Sequence, residues 1–238
     1  FDSRGTLGKY LMDHIFPVGT EGEIPGMTEY IEYGRRPGGV YIPRFRNLGG
    51  DEDVGFKRGY GYQGAAFRPT AAPVGFGGSM KHGMRKYAPW KFHIGAFGEC
   101  LPYRDNSVSL HADKVDRFGV PLMRFDVRFR ENELRMMADA RAQGEAMLKA
   151  AGLSNVISSA SPHVPGDAIH EMGGARMGTD PRASVLNSWS QAHDASNLYV
   201  TDGAQMASVS CVNPSLTFMA LTVRAADHAV TALKNAAV

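Results

Sequence analysis

The chain has 238 residues, 43% of them hydrophobic and 21% charged, and its 26 Lys and Arg outnumber its 24 Asp and Glu by only two. That balance argues against a polyanion-binding surface, and Arg44, Arg46, Lys81 and Arg85 are scattered rather than gathered into a stripe, so no nucleic acid is expected as a partner. No apolar run reaches the roughly 18 residues of a membrane-spanning helix, and two cysteines, Cys100 and Cys211, are too few for a disulfide framework or a four-cysteine metal site and are expected as separate, half-buried thiols.

Residues 1–100 are rich in Gly, Pro and aromatic side chains and carry few periodic elements. The runs 34–39 and 73–78 read as turns or long loops, and loops of that length in a compact domain commonly serve as lids, binding loops or interface segments. Between them, residues 39–45 read as a strand that Pro43 confines to a sheet edge. From Tyr87 onward strand patterns take over. Residues 90–100 begin with period-two alternation, and 107–111 follow the turn Arg104-Asp105-Asn106. In 121–129, Leu122, Arg124, Asp126 and Arg128 alternate with Met123, Phe125, Val127 and Phe129, which predicts a half-buried antiparallel strand with its polar face toward solvent or a cleft. His93, His111 and Arg124 are candidate substrate contacts, with ordinary decoration of a strand surface as the plainer account of each.

Residues 131–151 predict the clearest helix. Asn132 is placed to cap its start and Gly152 to end it in the left-handed conformation, and Leu134, Met137, Ala138, Met147, Leu148 and Ala151 supply the apolar stripe. Residues 154–165 read as a short strand followed by a loop. Leu198-Tyr199-Val200-Thr201 reads as a buried strand ending at Asp202-Gly203, where ligands of open α/β sheets gather. A second helix is expected from Pro214 to about Lys234.

Two motifs carry chemistry. The run His170-Glu171-Met172-Gly173-Gly174-Ala175-Arg176-Met177-Gly178 lacks the second His that a zinc-protease helix needs one turn on, because position 174 is Gly. Its glycines do not follow an apolar strand, so it is no dinucleotide fingerprint either. It reads as a loop in which Gly173 and Gly174 let backbone approach something closely. A hydrogen-bonded loop histidine is the plain account of His170, and a proton acceptor near neutral pH is the functional one. Asn213-Pro214-Ser215-Leu216 reads as an N-cap, a proline at the first helical position and a helix start. That helix end carries about half a positive charge and N–H groups with no partner inside the helix. For Asn213, capping and holding a substrate compete for the same side-chain oxygen.

Together these motifs resemble the C-terminal signature of the glucose–methanol–choline (GMC) flavin oxidoreductases. The most specific stretch is 170–227, which ends Ala220-Leu221-Thr222-Val223-Arg224-Ala225-Ala226-Asp227. At the start, Ser3-Arg4-Gly5-Thr6-Leu7-Gly8-Lys9-Tyr10-Leu11-Met12-Asp13-His14 looks like the family segment that leaves the flavin-domain core for the substrate half. Residues 113–121 are similar to the branch of bacterial sugar dehydrogenases and glucoside 3-oxidising enzymes, which also favours Asn at the second catalytic position.

The resemblance implies an α/β fold, the C-terminal portion of an FAD-binding domain plus an antiparallel-sheet (α+β) substrate domain. Residues 1–19 would form the edge of the FAD-binding domain, 20–155 the substrate domain, and 156–238 the C-terminal part of the FAD-binding domain. It implies FAD as cofactor, catalytic roles for His170 and Asn213, and cofactor contacts from Asp202, Gly203, Asn213, Ser215 and Leu216, with Met206 and Cys211 near the site and no metal. The implied reaction oxidises an alcohol on a sugar or glycoside: His170 takes the hydroxyl proton while hydride passes to flavin N5, and Asn213 holds the same oxygen. The Gly-rich strand–turn–helix with which the family opens has no counterpart here. The chain is therefore expected to work with an N-terminal FAD-binding half, as a separate chain or fragment, and to bind flavin poorly by itself. A small subunit or electron-transfer partner is a further candidate. Two rivals stand beside this reading: a non-redox member of the same scaffold, such as a lyase that keeps flavin structurally, and, from another class, a catalytically silent subunit or binding protein in which Asn213 only caps a helix.

Overall fold

A computed structural model describes residues 2–27, 30, 39–49, 54–69, 75–86, 88–160 and 165–236, so the turns expected at 34–38 and 73–74 lie outside the described residues. In chain order the elements are β1 (Lys9–Met12), β2 (His14–Glu23), β3 (Val40–Ile42), β4 (Tyr60–Phe67), α1 (Gly78–Met84), β5 (Lys91–Glu99), β6 (Ser107–Val115) and β7 (Pro121–Asp126). Then follow α2 (Glu131–Ala150), β8 (Ser154–Ala160), β9 (Met172–Gly174), β10 (Gln191–Ala192), β11 (Ala195–Tyr199), a 3-10 turn at Gly203–Gln205 and α3 (Ser215–Ala236). The chain divides into two units, 1–15 with 99–133 and 164–238, and 16–98 with 134–163.

The second unit is built on a five-stranded sheet, order β3-β4-β5-β2-β8. β3 is an edge strand, as Pro43 requires. β4 pairs antiparallel with β5 from Tyr60↔Gly98 to Phe67↔Lys91. At Gly64 an added Cβ would overlap the His93 carbonyl oxygen, so the glycine that masks this strand in the sequence is what lets the two backbones meet. α2 packs on the face bearing Tyr60 and Tyr62. Tyr60 Oη donates to Asp139 Oδ2 and Tyr62 Oη to the Ala140 carbonyl, each at 2.5 Å, and Arg46 grips both Asp139 oxygens at 2.9 and 2.7 Å. Burial first, and then the bond to Asp139, hold the Tyr60 hydroxyl far above its ordinary pKa, so it stays a donor.

The inward stripe of α2 is Glu133, Met136, Met137, Ala140, Gly144 and Leu148. Met137 and Leu148 face inward as expected. Leu134, at 52% exposure, does not, and Ala138 and Ala151 are also exposed. The helix start sets this rotation. Glu133, not Asn132, closes the first turn: its Oε2 accepts the Arg130 N–H at 2.9 Å and its Oε1 the Leu101 N–H at 3.1 Å, half of a capping box with an acid facing inward. Gly152 ends the helix as expected. It sits at φ +82°, its N–H bonds the Lys149 carbonyl, and Leu153 N–H bonds the Leu148 carbonyl, the paired bonds of a Schellman motif.

The first unit holds a four-stranded sheet, order β7-β6-β1-β9, with antiparallel pairs throughout. Met12, Cys100, Met172 and Val209 form one buried cluster, against which Phe129, Met206 and Phe218 pack. Ala175, Val185, Leu186 and Ala192 form another. Both cysteines are thiols outside any disulfide and more deeply buried than half-buried ones, and burial pushes the Cys100 thiol up to about 12. β7 pairs antiparallel as expected, but its half-burial is not found: Leu122, Met123 and Phe125 are 42%, 65% and 59% exposed. β7 is a sheet edge, and among the described residues of this unit no helix covers it. The buried strand expected at 198–201 is likewise corrected. β11 is one half of a short β10·β11 ribbon, partly exposed, and its register shifts within a few residues. A two-strand ribbon buries only the side that Leu198 and Val200 lay on the second cluster.

Candidate active site

β1 runs into β2 through Asp13 and His14, which are 2% and 0% exposed between apolar neighbours. The Asp13 carboxylate accepts the backbone N–H groups of His14 at 2.8 Å, Gly166 at 2.7 Å and Ala168 at 3.3 Å. Three such donors satisfy a buried carboxylate and tie the 166–168 loop to the end of β1. Ile169 then takes φ +54°, a left-handed conformation that a β-branched residue rarely adopts, with its side chain 80% exposed. The local strain sits in the turn that delivers His170.

His170 is half-buried and meets His14 edge-on. The two Nδ1 atoms are 2.9 Å apart, the ring centroids 5.0 Å apart and the planes at 89°. The other ring nitrogen of His14, Nε2, lies 2.5 Å from the Ser210 carbonyl oxygen. Burial pushes His14 down to about 4, opposed by the Ser210 carbonyl and assisted by the neighbouring His170, so His14 is neutral around pH 7. His14 therefore touches His170 directly and, through Ser210, the loop that reaches Asn213 three residues later.

The expected close approach at Gly173 is real, and its object is the protein's own backbone. Gly173 sits at φ +85°, and an added Cβ would overlap the Tyr10 carbonyl oxygen across the β1·β9 pairing. Gly203 is similar, packed against the Glu171 carbonyl. Asp202 Oδ1 accepts the Ala204 N–H at 2.9 Å and so caps the 3-10 turn. Asp202 and Gly203 line a cavity of about 670 Å³, together with Gly8, Lys9, Glu171 and Gly173. That volume lies in the range of ligand sites, roughly 300–1,000 Å³. His170 is outside this lining, one residue from Glu171.

Asn213, Ser215 and Leu216 are exposed at the start of α3 and outside the cavity lining. The helix begins one residue later than expected. Phe218 N–H donates to the Pro214 carbonyl at 3.1 Å, so Pro214 stands at the cap position and Asn213 just before it. The first intrahelical bond decides this register, and proline tolerates it because the cap residue's N–H is not needed. The helix end still presents its positive pole there.

Asp13, His14 and Ser210 were missed as site residues. The signal available was an adjacent Asp-His pair closing an apolar Leu11-Met12 run, since polar groups buried among apolar ones need partners. Of the other candidates, His111 Nδ1 accepts the N–H groups of Asp113 and Lys114, both at 3.2 Å, and thus serves its own strand where the β6·β7 register shifts. Arg124 is exposed on β7, and His93 is half-buried on β5 beside Gly19. Met206 packs against the Met12 cluster, and Cys211 is buried. Among the described residues, no group of three or more His, Cys, Asp or Glu is arranged to hold a metal ion, and no helix is long and apolar enough to cross a membrane.

A family model described as GMC oxidoreductase matches residues 102–222. The 2-methyl-1,2-propanediol dehydrogenase of Mycolicibacterium austroafricanum is 32% identical over 253 residues, covering 95% of this chain and 42% of that protein. The fructose dehydrogenase large subunit of Gluconobacter japonicus is 36% identical over 138 residues, 58% of this chain and 25% of the relative. The paromamine 6'-oxidase of Streptomyces fradiae is 34% identical over 125 residues, 52% and 23% respectively. The chain thus spans less than half the length of these relatives.

Proposed function

The chain belongs to the GMC oxidoreductase family, and on that premise we propose that it is the C-terminal part of an FAD-dependent oxidoreductase acting on an alcohol group of a sugar or glycoside. The names of its relatives, dehydrogenases and oxidases of a diol, of fructose and of paromamine, favour that substrate class. The observation that carries the reading is the fixed placement of His170. Asp13 pins the loop before it, and His14 bonds it on one side and the Asn213 loop on the other.

The residues present fit a flavin. Asp202 and Gly203 line a cavity of ligand size with a glycine-rich wall, and Asn213, Ser215 and Leu216 sit exposed at the positive end of α3, where anionic groups are favoured. These residues would hold FAD, which when bound supplies the acceptor for the carbon-bound hydrogen. An N-terminal FAD-binding half, as a separate chain or fragment, would contribute the pyrophosphate grip. We assign the first unit, with the stretches 1–19 and 156–238, to the flavin side. The five-stranded sheet lies within 20–155 except for the start of β2 and the end of β8, and we assign it to the substrate side; residues 99–133 count with the first unit.

His170 receives the hydroxyl proton on a ring nitrogen as the C–H bond of the alcohol breaks. Asn213 donates an amide hydrogen bond to the same oxygen, holding it and easing the charge that develops there. A neutral His14 beside His170 matters at this moment, because a second imidazolium 2.9 Å away would oppose the proton's arrival. His170→Ala in the flavin-loaded protein should slow substrate-driven flavin reduction by about 10²–10⁴-fold. Anaerobic mixing with a panel of sugars and glycosides reads this as loss of flavin colour, and a variant keeping most of its rate removes His170 from the mechanism.

A further inference from the structure

We propose that His14 is a positioning residue that fixes the tautomer of His170, its Nε2–H bonded to the Ser210 carbonyl and its Nδ1 accepting the Nδ1–H of His170. The inference rests on the reading of His170 as proton acceptor and deepens it by naming the atom that accepts.

The assignment follows from what each partner is able to do. A carbonyl oxygen only accepts, so the 2.5 Å contact at Ser210 requires the proton of His14 to sit on Nε2. A neutral imidazole carries one proton, and burial keeps His14 neutral, so its Nδ1 bears a lone pair. The 2.9 Å Nδ1···Nδ1 contact then needs its hydrogen from His170. With its proton on Nδ1, a neutral His170 carries its lone pair on Nε2, and Nε2 is the atom that receives the alcohol proton. The opposite tautomer would place two lone pairs against each other at Nδ1 and leave nothing on Nε2 to take a proton. The Asp13 carboxylate supports the arrangement from below. It holds the His14 N–H and the Gly166 and Ala168 N–H groups together, so the two rings keep their edge-on geometry. The device spans residues 13–14, 166–170 and 210, all within the first unit.

The test reads protons directly and needs no cofactor. The full chain, labelled with ¹⁵N-histidine, is examined by long-range ¹H–¹⁵N correlation at neutral pH. The expected result is His14 protonated on Nε2 and His170 on Nδ1; His170 protonated on Nε2, or divided evenly between tautomers, overturns the assignment. His14→Asn keeps a carboxamide oxygen near the place of Nδ1 and should preserve the His170 tautomer, whereas His14→Phe keeps the packing, lacks the acceptor and should release it. A His14→Phe spectrum in which His170 stays protonated on Nδ1 also overturns the proposal, and the wild-type and His14→Asn spectra remain decisive if the Phe variant does not fold. In the flavin-loaded protein, His14→Phe should lower the rate of flavin reduction by roughly a hundredfold with little change in KM, and His14→Asn should recover most of it. The two readings fail separately. A correct tautomer with an active His170→Ala variant defeats the proposed function alone, and a wrong tautomer with an inactive His170→Ala variant defeats only the role of His14.

Discussion

A neutral imidazole shut between a carbonyl oxygen and a second imidazole is well accommodated at pH 7 and poorly accommodated in acid. In the unfolded chain His14 binds its proton near the ordinary 6.5, and in the fold only near about 4. Between those values the unfolded state holds more protons, so stability falls as pH drops from 6.5, reaches its full loss near 4 and falls no further from this group below that. At roughly 1.4 kcal/mol per pH unit, the gap between 6.5 and about 4 amounts to about 3 kcal/mol. Among the described residues the ring meets His170 and the Ser210 carbonyl, with Asp13 adjacent and engaged by three N–H donors. Denaturant unfolding of the wild type at pH 4 and pH 7 should show that loss, and His14→Asn should show a loss smaller by about 3 kcal/mol. Equal losses in the two proteins would mean that His14 does not stay neutral in the fold.

Elements make their own demands on single residues. Gly173 pairs β9 with β1 at φ +85° with no room for a Cβ, so Gly173→Ala should destabilise the first unit by about 2 kcal/mol or more. Gly26, at φ +75° with nothing within 4 Å, bears only the conformational cost, about 1 kcal/mol for Ala. Equal effects in thermal unfolding would discount the close approach. In α2, Met136→Ala should cost about 2–5 kcal/mol, because the side chain is fully buried, whereas Leu134→Ala should cost less than about 1 kcal/mol at 52% exposure. The reverse order would restore the stripe drawn from the sequence. That stripe went astray because composition marks a helix without fixing its rotation, and here the inward Glu133 fixes it. α2, α3, the strands β6 and β7 and the edge position of β3 were legible, since period-two alternation, helix formers, the capping Gly152 and Pro43 act locally. β4 was not, because Gly61 and Gly64 look like punctuation until their β5 neighbours are known. The site divides the same way. The His170 and Asn213 motifs are visible in the chain, while the Asp13–His14 clamp exists only once residues more than 150 positions apart meet.

Across the whole first unit, a large share of apolar surface faces outward. On the hairpin Leu110, Phe118, Met123 and Phe125 are 68%, 75%, 65% and 59% exposed, and on α3 Leu216, Met219, Val223 and Leu233 are 77%, 63%, 61% and 71% exposed. Leu216, Met219 and Val223 recur at spacings of three and four residues, and Val230, 49% exposed, follows seven residues after Val223, the pattern of a helix face made to be covered. Scattered exposed leucines need no account, but rows of them mark a contact surface. The diol dehydrogenase relative is more than twice as long as the stretch matched here, 42% of it. We infer that the N-terminal FAD-binding half of such a protein covers these rows and brings the pyrophosphate site with it. The chain on its own should then bind an apolar dye such as ANS strongly and FAD weakly, if the covering half carries the pyrophosphate grip. Co-expression with the preceding half of a full-length relative should suppress the dye signal and yield a yellow complex. Met219→Lys and Val223→Lys should weaken that complex while leaving the folding of the chain almost untouched, because both side chains are already in water. Tight FAD binding by the chain alone, or a complex indifferent to both lysines, would place the cofactor grip and the covering partner elsewhere.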